Sequence, residues 1–360
     1  MSRTVLVYRI GQLGDTLVAL PAIAEIHRRH PADRLVLVTD RHAGQPRYTS
    51  SWEVLGPTGW FNGVVYYHPA PTMLRKVLTG TRLFFKLKRL RPRVVYDLAP
   101  ERNAAQIRRD RRFFTRLVGV HTYFGGQPLP KFGKDRNGSL PRIEPEWKRL
   151  LRIIGVEDEF ASFRLPIPDS ALRNVARCFA RRGIGAKSPA IAIGPGSKMP
   201  SKRWPLDRFR ELGLRILAAN PERRLIVLGD RDDAPLGELL CRDWGRRTYN
   251  FAGSFSVYES AAALARCEGY VGNDTGTMHL AAMVGTPCVA LFSARDYPGQ
   301  WEPYGAGHVV LRHETDCAGC MLETCTVRNN ECINRISVEE VQIAIRSIVS
   351  GRMANDSAYC

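Results

Sequence analysis

Short apolar segments alternate with amphipathic helical segments along this sequence, and the alternation occurs in both halves of the chain. In the first half, strands are predicted at residues 4–10, 34–39, 63–67 and 93–98. In the second half, they are predicted at residues 190–193, 224–230, 269–271, 288–292 and 309–311. Strands separated by helices favour parallel βαβ units, because a parallel partner needs a crossover connection. The pattern therefore predicts an α/β fold with two Rossmann-like domains.

The length of 360 residues also favours two domains, since single cores rarely grow beyond about 250–300 residues. Pro166 and Pro168 stiffen the backbone near the middle of the chain, which favours an extended linker between the two domains. We predict an N-terminal domain at 1–165, a linker at 166–172, a C-terminal domain at 173–350 and a frayed tail at 351–360. Residues 119–145, rich in Gly, Pro, Lys and Arg, are predicted to form a long loop.

Polar residues follow one predicted strand directly, in the segment Asn273-Asp274-Thr275-Gly276. A predicted helix, 278–284, comes next. Ligands of open α/β sheets bind at the carboxyl ends of the strands, and the free N–H groups of a helix N-terminus favour a phosphate. The segment therefore indicates a phosphate-binding site. The alternative is that Asp274 and Thr275 only cap the helix.

Two more strand ends in the second half have suitable residues. After strand 190–193, a Gly-rich turn containing Ser197 precedes Lys198, Lys202 and Arg203. Backbone N–H groups and cations in this arrangement suit a diphosphate, although a basic surface loop is the alternative. Strand 224–230 ends in Asp230, which is expected at the rim of the same site.

In the first half, Gly11-x-x-Gly14-Asp15 forms a turn between strand 4–10 and a helix predicted at 16–29. Its glycines allow a ligand or a loop to approach the backbone closely. The spacing differs from the dinucleotide-binding fingerprint, so it is a weak signal alone. Pro21 predicts either a kink or a regular helix that begins near it.

The chain has a formal net charge of +18, and the excess is concentrated between residues 72 and 116, with fourteen Lys/Arg against three acids. An anionic partner is expected: nucleic acid, an acidic membrane surface or a phosphorylated substrate. A solvated basic face without a partner is the alternative. Neither a transmembrane run nor a signal peptide is recognised, so a cytoplasmic location with mostly reduced cysteines is expected.

Four of the nine cysteines form a cluster with the spacing C-x2-C-x4-C-x6-C, at Cys317, Cys320, Cys325 and Cys332. The cluster could hold a structural zinc, an iron–sulfur cluster or no metal, because its spacing fits neither a zinc ribbon nor a ferredoxin. The cysteines that fall in apolar patterns are expected in the core; they are Cys178, Cys241, Cys267 and Cys288.

Together these motifs resemble the heptosyltransferase family, ADP-heptose:lipopolysaccharide glycosyltransferases of family 9. The matching segments span nearly the whole chain: Gly11-x-x-Gly14-Asp15 with Pro21, Pro195-Gly196-Ser197 with Lys202-x-Trp204-Pro205, Gly272 to Ala282 with Gly285-x-Pro287, and Trp301-x-Pro303-Tyr304-Gly305. Two positions depart from the family pattern. Gly194 stands where the family often has His, and Thr277 where it commonly has Pro, which puts the identity of the sugar or base in doubt.

The resemblance implies a GT-B fold, with two Rossmann-like domains whose parallel sheets face a central cleft. It implies an inverting, metal-independent glycosyltransferase with Asp15 as the general base. The donor would be bound in the C-terminal domain by Ser197, Lys202, Asp230, Asp274, Thr275, Gly276 and His279. The acceptor would be bound in the N-terminal domain near Gly11, Gly14 and Arg102. No cofactor is required for this chemistry.

The implied donor is ADP-heptose, and the implied acceptor is a lipopolysaccharide core-type or related anionic, lipid-linked glycan. The basic stretch fits such an acceptor at the cytoplasmic face of the inner membrane, where the protein would be peripheral. A UDP- or GDP-sugar transferase of another surface polysaccharide is an alternative. A nucleic-acid-binding protein is another, but no nucleic-acid module is recognised and no nucleic-acid partner is expected.

Overall fold

The computed structural model describes residues 2–42, 48–69, 72–100, 102–128, 130–136, 138–156, 162–186 and 188–357. The chain divides into two compact units. The first contains Met1–Lys131 and Glu146–Ala161, and the second contains Phe132–Pro145 and Ser162–Cys360. The chain passes from one unit to the other three times, the last time between residues 161 and 162. Residues 169–172 of the predicted linker lie in a helix, Asp169–Arg181.

The first unit has a five-stranded parallel sheet in the order β3-β2-β1-β4-β5. Its strands are β1 (Thr4–Tyr8), β2 (Arg34–Asp40), β3 (Gly63–Tyr67), β4 (Pro92–Asp97) and β5 (Thr122–Gly125). Its helices are α1 (Leu13–Arg29), α2 (Ser51–Leu55), α3 (Met73–Leu90), α4 (Ala104–Arg112) and α5 (Glu146–Ile153). A 3₁₀ turn (Gly56–Thr58) follows α2, and a π-helical turn (Phe113–Val118) follows α4.

The core of the first unit forms where aliphatic residues of the central strands meet the surrounding helices. Leu6, Val36, Val38 and Val95 pack with Leu87 of α3 and Phe114 of the π-helical turn. Helix α1 runs through Pro21, which is buried, so the prediction that the regular helix begins near this proline is wrong. The buried face of α1, which packs on the core, is continuous from Thr16 to Ile23 and tolerates the one lost backbone hydrogen bond.

The second unit has a six-stranded parallel sheet in the order β11-β10-β9-β6-β7-β8. Its strands are β6 (Ala190–Gly194), β7 (Arg224–Val227), β8 (Thr248–Asn250), β9 (Gly269–Asn273), β10 (Cys288–Phe292) and β11 (Val309–Arg312). Its helices are α6 (Asp169–Arg181), α7 (Leu206–Ala219), α8 (Ala234–Trp244), α9 (Val257–Ala265), α10 (Gly276–Met283), α11 (Glu331–Asn334) and α12 (Val338–Ser357). Helix α12 therefore continues into the predicted tail.

Both units are doubly wound, so the predicted α/β class with two Rossmann-like domains is confirmed. In each sheet the chain builds outward on one side and then returns to the centre to build the other side. The direction reverses between β1 and β4 in the first sheet and between β6 and β9 in the second. These switch points are where open α/β sheets bind ligands. The predicted cleft between the domains stays a prediction.

The predicted loop 119–145 contains β5. Helix α9 begins with a capping box, in which Ser256 accepts from the backbone N–H of Glu259. Among the described helices, none is both long and apolar enough to cross a membrane.

Candidate functional sites

Asn273, the last residue of β9, holds the loops of the second switch point together. Its side chain is fully buried. Nδ2 donates to the carbonyl oxygens of Pro195 at 2.8 Å and Gly196 at 3.2 Å, and Oδ1 accepts from the backbone N–H of Trp204 at 3.0 Å. A buried amide with these partners fixes the Gly-rich turn after β6 to the end of β9. The predicted turn and the Asn-Asp-Thr-Gly segment therefore lie side by side.

Next to Asn273, four charged side chains form a buried network. Lys202 Nζ lies 2.5 Å from Oδ2 of Asp274 and 3.2 Å from Oδ2 of Asp296. Arg295 donates from Nη1 to both oxygens of Asp296 at 2.8 Å. Burial alone would lower the pKa of Lys202, but Asp274 and Asp296 outweigh burial and raise it. The two cations and two carboxylates therefore balance one another.

His279 completes this network from helix α10. It is 3 % exposed, and its Nε2 lies 3.9 Å from Oδ1 of Asp274. Burial lowers the pKa of His279 to about 4; Asp274 opposes this shift and Lys202 adds to it. The imidazole is therefore neutral at physiological pH, and its buried Nδ1 has no hydrogen-bond partner.

Helix α10 begins at this network without a side-chain cap. Thr275 is its N-cap residue, in an extended conformation with φ −149°, and makes no capping hydrogen bond. The carboxylate of Asp274, which could also have served the helix, is engaged by Lys202. If Asp274 and Thr275 only capped the helix, one of their side chains would accept from the first backbone N–H groups of α10. The structure shows no such side-chain cap at α10.

Where β6 and β9 end side by side, the surface of the site is formed by glycine backbone without side chains. Gly194 pairs with Gly272 in the sheet, and a Cβ atom at either position would overlap the hydroxyl of Tyr270. Tyr270 is itself fully buried. The departure from the family pattern at Gly194 thus has a physical reason, because the Tyr270 hydroxyl occupies the space that a side chain at 194 would need.

Ser197 lies in the turn that Asn273 holds. Its Oγ accepts from the backbone N–H of Met199 at 3.3 Å, and its carbonyl accepts from Nε of Arg203 at 2.8 Å. Ser197 is half-buried, while Arg203 is exposed. The turn is therefore ordered by its own residues and keeps a cation at its outer side.

Asp230 follows β7 and caps the short 3₁₀ turn Arg231–Asp233, accepting from the backbone N–H of Asp232 at 2.8 Å. The carboxylate that reaches the Gly-rich turn belongs to Asp233, since a Cβ at Gly196 would overlap it. Burial, with a contribution from Asp230, raises the pKa of Asp233 to about 6. Asp230 was predicted at the rim of this site, whereas Asp233, three residues further along, was not.

In the first unit, the turn after β1 brings Asp15 back over Gly11. Asp15 is the third residue of α1, and its Oδ2 accepts from the backbone N–H of Gln12 at 2.8 Å. Gly11 has φ +111°, and a Cβ there would lie 2.6 Å from Oδ2 of Asp15. Gly11 is therefore needed both for its backbone conformation and for the close approach of the carboxylate. Gly14 lies in the first turn of α1.

A second carboxylate, Asp40 at the end of β2, lies on the other side of Gly11. Its Oδ2 accepts from the Tyr48 hydroxyl at 2.6 Å and lies 3.0 Å from Nε2 of His42. The Tyr48 hydroxyl also lies 2.8 Å from the carbonyl oxygen of Gly11. Burial and Asp40 raise the pKa of Tyr48, so it stays a hydroxyl. Asp40, Tyr48 and His42 were not predicted, although Asp40 is a polar strand end.

Arg102, expected near the acceptor, is held by carboxylates at the end of β4. Its Nη2 donates to both oxygens of Asp97 at 2.6 and 2.7 Å, and its Nη1 donates to Asp110 at 2.5 Å. Its guanidinium also lies over the ring of Tyr8, 5.5 Å from the centroid. Burial would lower the pKa of Arg102, but Asp97 outweighs it and raises the pKa. Arg102 is thus a fixed cation near the first switch point.

Comparison with known proteins assigns the segment that contains the site of the second unit to a family. Residues 162–330 match the family model described as glycosyltransferase family 9 (heptosyltransferase). This segment, residues 162–330, belongs to glycosyltransferase family 9. The segment that matches this family contains β6 to β11 and all the predicted donor-binding residues. The lipopolysaccharide heptosyltransferase 2 of Salmonella typhimurium is 31% identical over 117 residues. That match covers 30% of this chain and 32% of the relative, so it spans about a third of the relative's length.

Solved structures share the fold over nearly the whole chain. A family 9 glycosyltransferase from Veillonella parvula has a TM-score of 0.71 at 18% identity, covering 97% of both chains. The ADP-heptose lipopolysaccharide heptosyltransferase II of E. coli has a TM-score of 0.68 at 16% identity, covering 98% of this chain and 100% of that one. At these identities the likeness shows the fold, which extends beyond the family 9 segment into the first unit.

The cysteine cluster lies at the end of the family 9 segment. Burial raises the pKa of Cys332, with smaller contributions from Cys317 and Cys325. Backbone hydrogen bonds, first from Asn330, lower the pKa of Cys325. Across the part of the chain that the structure describes, no three His, Cys, Asp or Glu side chains are grouped as metal ligands. The cysteines as described therefore do not form a zinc site, whereas their spacing alone had left a structural zinc, an iron–sulfur cluster and no metal open.

The other cysteines follow the prediction only in part. Cys267 and Cys288 are buried, as expected for core residues. Cys178 and Cys241 are only half-buried, and Cys241 packs against the core of the second unit from its edge.

Proposed function

We propose that the protein is an inverting glycosyltransferase that moves a sugar from a nucleotide donor bound at the second switch point. The observation that carries this proposal is the uncapped N-terminus of α10, which begins between the Gly-rich turn and the buried Lys202. Unsatisfied backbone N–H groups at a switch point favour a phosphate. Ser197, Thr275 and Gly276 would contact the diphosphate.

In the absence of a ligand, the charges of Lys202 and Arg295 are balanced by Asp274 and Asp296. A departing diphosphate adds negative charge beside this network. Lys202 would then exchange a carboxylate oxygen for a phosphate oxygen, while the N–H groups of α10 stabilise the leaving group. The neutral His279 adds no charge of its own and would orient the donor as a hydrogen-bonding group.

The acceptor would be bound by the first unit, with Asp15 as the general base. An inverting transfer needs one carboxylate to take the proton from the acceptor hydroxyl as the bond to the sugar forms. The backbone N–H of Gln12 orients Asp15, and the missing side chain at Gly11 allows the carboxylate to approach the turn closely. Gly11 and Gly14 would contact the acceptor through their backbone. Arg102 would serve as a fixed cation for an anionic glycan.

For the donor we propose ADP-heptose, and for the acceptor a lipopolysaccharide core-type or related anionic, lipid-linked glycan at the cytoplasmic face of the inner membrane. The E. coli structure that shares this fold is an ADP-heptose lipopolysaccharide heptosyltransferase. Thermal unfolding with ADP, UDP and GDP tests the base, because a ligand that binds only the folded state raises Tm. A larger shift with UDP or GDP than with ADP would contradict ADP-heptose. No shift with any of them would contradict a nucleotide site.

The role of Asp15 is tested by Asp15→Asn. We expect loss of sugar transfer, by about 10²-fold or more, with nucleotide binding unchanged, because the amide cannot accept the proton. Glu53→Gln is a matched control, since Glu53 is also the third residue of its helix and accepts the N-cap N–H, from Ser50 at 2.9 Å. Turnover of Asp15→Asn at the wild-type rate would refute the assignment.

A further inference from the structure

Helix α3 of the first unit has two opposite apolar faces. One face packs against the core through Leu83, Phe84, Leu87 and Leu90. The other face contains Leu74, Leu78 and Phe85, which are four and seven residues apart and therefore form one stripe. These three side chains are 78 %, 51 % and 63 % exposed. A helix of a globular domain needs only one apolar face for its own core, so the second face indicates a partner.

Cations run along the same exposed surface. Arg75, Arg82, Lys86 and Arg89 are seven, four and three residues apart and are all exposed, so they form a basic row beside the apolar stripe. Helix α3 contains no Asp or Glu. The surface of α3 is thus both apolar and uniformly positive.

The π-helical turn and α4 extend this surface. Lys88 Nζ of α3 donates to the carbonyl oxygen of Leu117 at 3.2 Å, and the Leu117 side chain is 56 % exposed. Arg108, Arg112 and Arg116 are spaced four residues apart and line a shallow groove beside Leu117. The acid of α4, Asp110, is turned to Arg102 and Arg109. We call the stripe, the basic row, Leu117 and these arginines the α3 face.

We propose that the α3 face docks on an anionic phospholipid bilayer, with the apolar stripe entering the interface and the cations at the lipid phosphates. A row of aliphatic and aromatic side chains beside cations suits a surface where acyl chains lie just beneath negative headgroups. A nucleic acid would use the cations but leave Leu74, Leu78 and Phe85 in water. The biological role of this docking rests on the proposed function, because the enzyme must reach a lipid-linked acceptor at the membrane.

Vesicle flotation tests the apolar stripe. Wild-type protein should float with phosphatidylcholine vesicles containing phosphatidylglycerol and only weakly with phosphatidylcholine alone. The triple variant Leu74→Ser, Leu78→Ser, Phe85→Ser should lower the partition coefficient by about 1000-fold, because each residue contributes roughly tenfold when buried. The matched control is Leu172→Ser, Leu239→Ser, Ile343→Ser, three exposed apolar residues of the second unit. Equal binding by the two triple variants would overturn the docking surface.

The basic row is tested by charge-matched variants. Arg75→Gln, Arg82→Gln, Arg89→Gln should also weaken binding about 100-fold at low salt, since each cation near an anionic surface contributes about fivefold. Arg173→Gln, Arg177→Gln, Arg181→Gln removes the same charge from exposed positions of α6 and should bind like wild type. Equal loss in both variants would overturn a local surface in favour of net charge alone. Wild-type binding to neutral vesicles as tight as to anionic ones would also contradict the proposal.

Two further measurements separate membrane docking from nucleic-acid binding and from the transferase activity. Binding of duplex DNA that needs the arginines but not the leucines, without vesicle binding, would make the surface a nucleic-acid site and overturn the proposal. Sugar transfer to a lipid-free acceptor should proceed equally in the wild type and all four variants. If the wild type floats but transfers no sugar, the proposed glycosyltransferase activity fails and the α3 face stands.

Discussion

At the scale of single residues, Lys202 is the position where structure and proposed chemistry depend most on one side chain. It is buried between two carboxylates, so its removal leaves Asp274 and Asp296 unpaired in a poorly solvated site. We expect Lys202→Ala to lower the free energy of unfolding by about 3–5 kcal/mol and to weaken nucleotide binding. Urea unfolding and calorimetric titration with ADP measure the two effects.

The control for Lys202 is the exposed Lys198 of the same turn. The free energy of unfolding of Lys198→Ala should lie within about 0.5 kcal/mol of the wild-type value, as is usual for surface substitutions. Unchanged nucleotide affinity in Lys202→Ala would remove this lysine from the phosphate site. Unchanged stability would contradict the buried network itself.

Asp233 should make stability depend on pH. Its folded-state pKa of about 6 lies above the ordinary aspartate value of 3.8, so folding takes up a proton between these values. This contribution is fully present below pH 4 and is lost as pH rises through 6. Above pH 6, Asp233→Asn should therefore be more stable than wild type by about 1–2 kcal/mol, allowing for solvent screening.

Urea unfolding of the Asp233→Asn variant at pH 4 and pH 8 measures this difference, which should vanish at the lower pH. Asp169→Asn is the control, because the Asp169 side chain is 84 % exposed and lies 4.0 Å from Arg173. A difference of the same size at both pH values would show that hydrogen bonding and not titration is responsible.

At the scale of elements, α10 is the helix whose N-terminus carries the proposal. Thr275→Asp would supply the missing cap, so we expect about 0.5–1 kcal/mol of added stability. The same carboxylate would repel a diphosphate, so ADP should bind at least about tenfold more weakly. For this variant, thermal unfolding should show a gain in stability, whereas calorimetric titration should show a loss of ADP affinity.

The control for α10 is Ser256→Asp, which replaces an N-cap residue that already accepts from Glu259 in α9. It should change neither stability nor ADP binding by much. Tighter or equal ADP binding in Thr275→Asp would contradict an anion site at the α10 N-terminus.

The elements that the sequence predicted are those whose burial gives a regular pattern. Continuous apolar runs such as β10 were predicted to the residue, and β6 to within one residue. Strands β5 and β8 were missed because none of their residues is fully buried, so neither sequence contains a continuous apolar run. Helix α4 was missed because Ile107 is its only buried residue, so its sequence has no apolar period.

The candidate sites were predictable where a residue directly follows a strand. Asn273 and Asp274 lie at such a strand end, and Asp15 lies just after the turn that follows β1. Their partners could not be found because contact depends on how separate loops fold together. Asp296 reaches Lys202 across 94 positions of sequence. Arg102 shows the converse limit: the family resemblance placed it near the acceptor, but the sequence did not predict that Asp97 and Asp110 pair with its guanidinium.

At the scale of the whole molecule, the first unit is discontinuous in sequence. It needs helix α5, which packs on α1 and contains the buried pair Glu146 and Arg149. Arg29 of α1 also donates to the carbonyl oxygen of Ile154 at 2.5 Å. We therefore expect a fragment of residues 1–161 to unfold cooperatively in urea and a fragment of residues 1–131 to lack a cooperative transition.

Circular dichroism of both fragments checks this expectation. The variant Glu146→Gln in the longer fragment is a useful addition, because it removes the buried carboxylate to which Arg149 donates from Nε and Nη2 and should lower the free energy of unfolding by about 1–3 kcal/mol. Cooperative unfolding of the 1–131 fragment with wild-type stability would contradict a requirement for α5.

The same discontinuity has a consequence during synthesis. Domains generally fold from the N-terminus as the ribosome releases them. Here the first 131 residues would emerge with part of α1 uncovered and with α5 still in the ribosome, and the segment Phe132–Pro145 emerges before the second unit to which it belongs. The nascent chain must hold an incomplete first unit until residue 161 has passed, so translation speed across residues 132–161 should influence the yield of native protein.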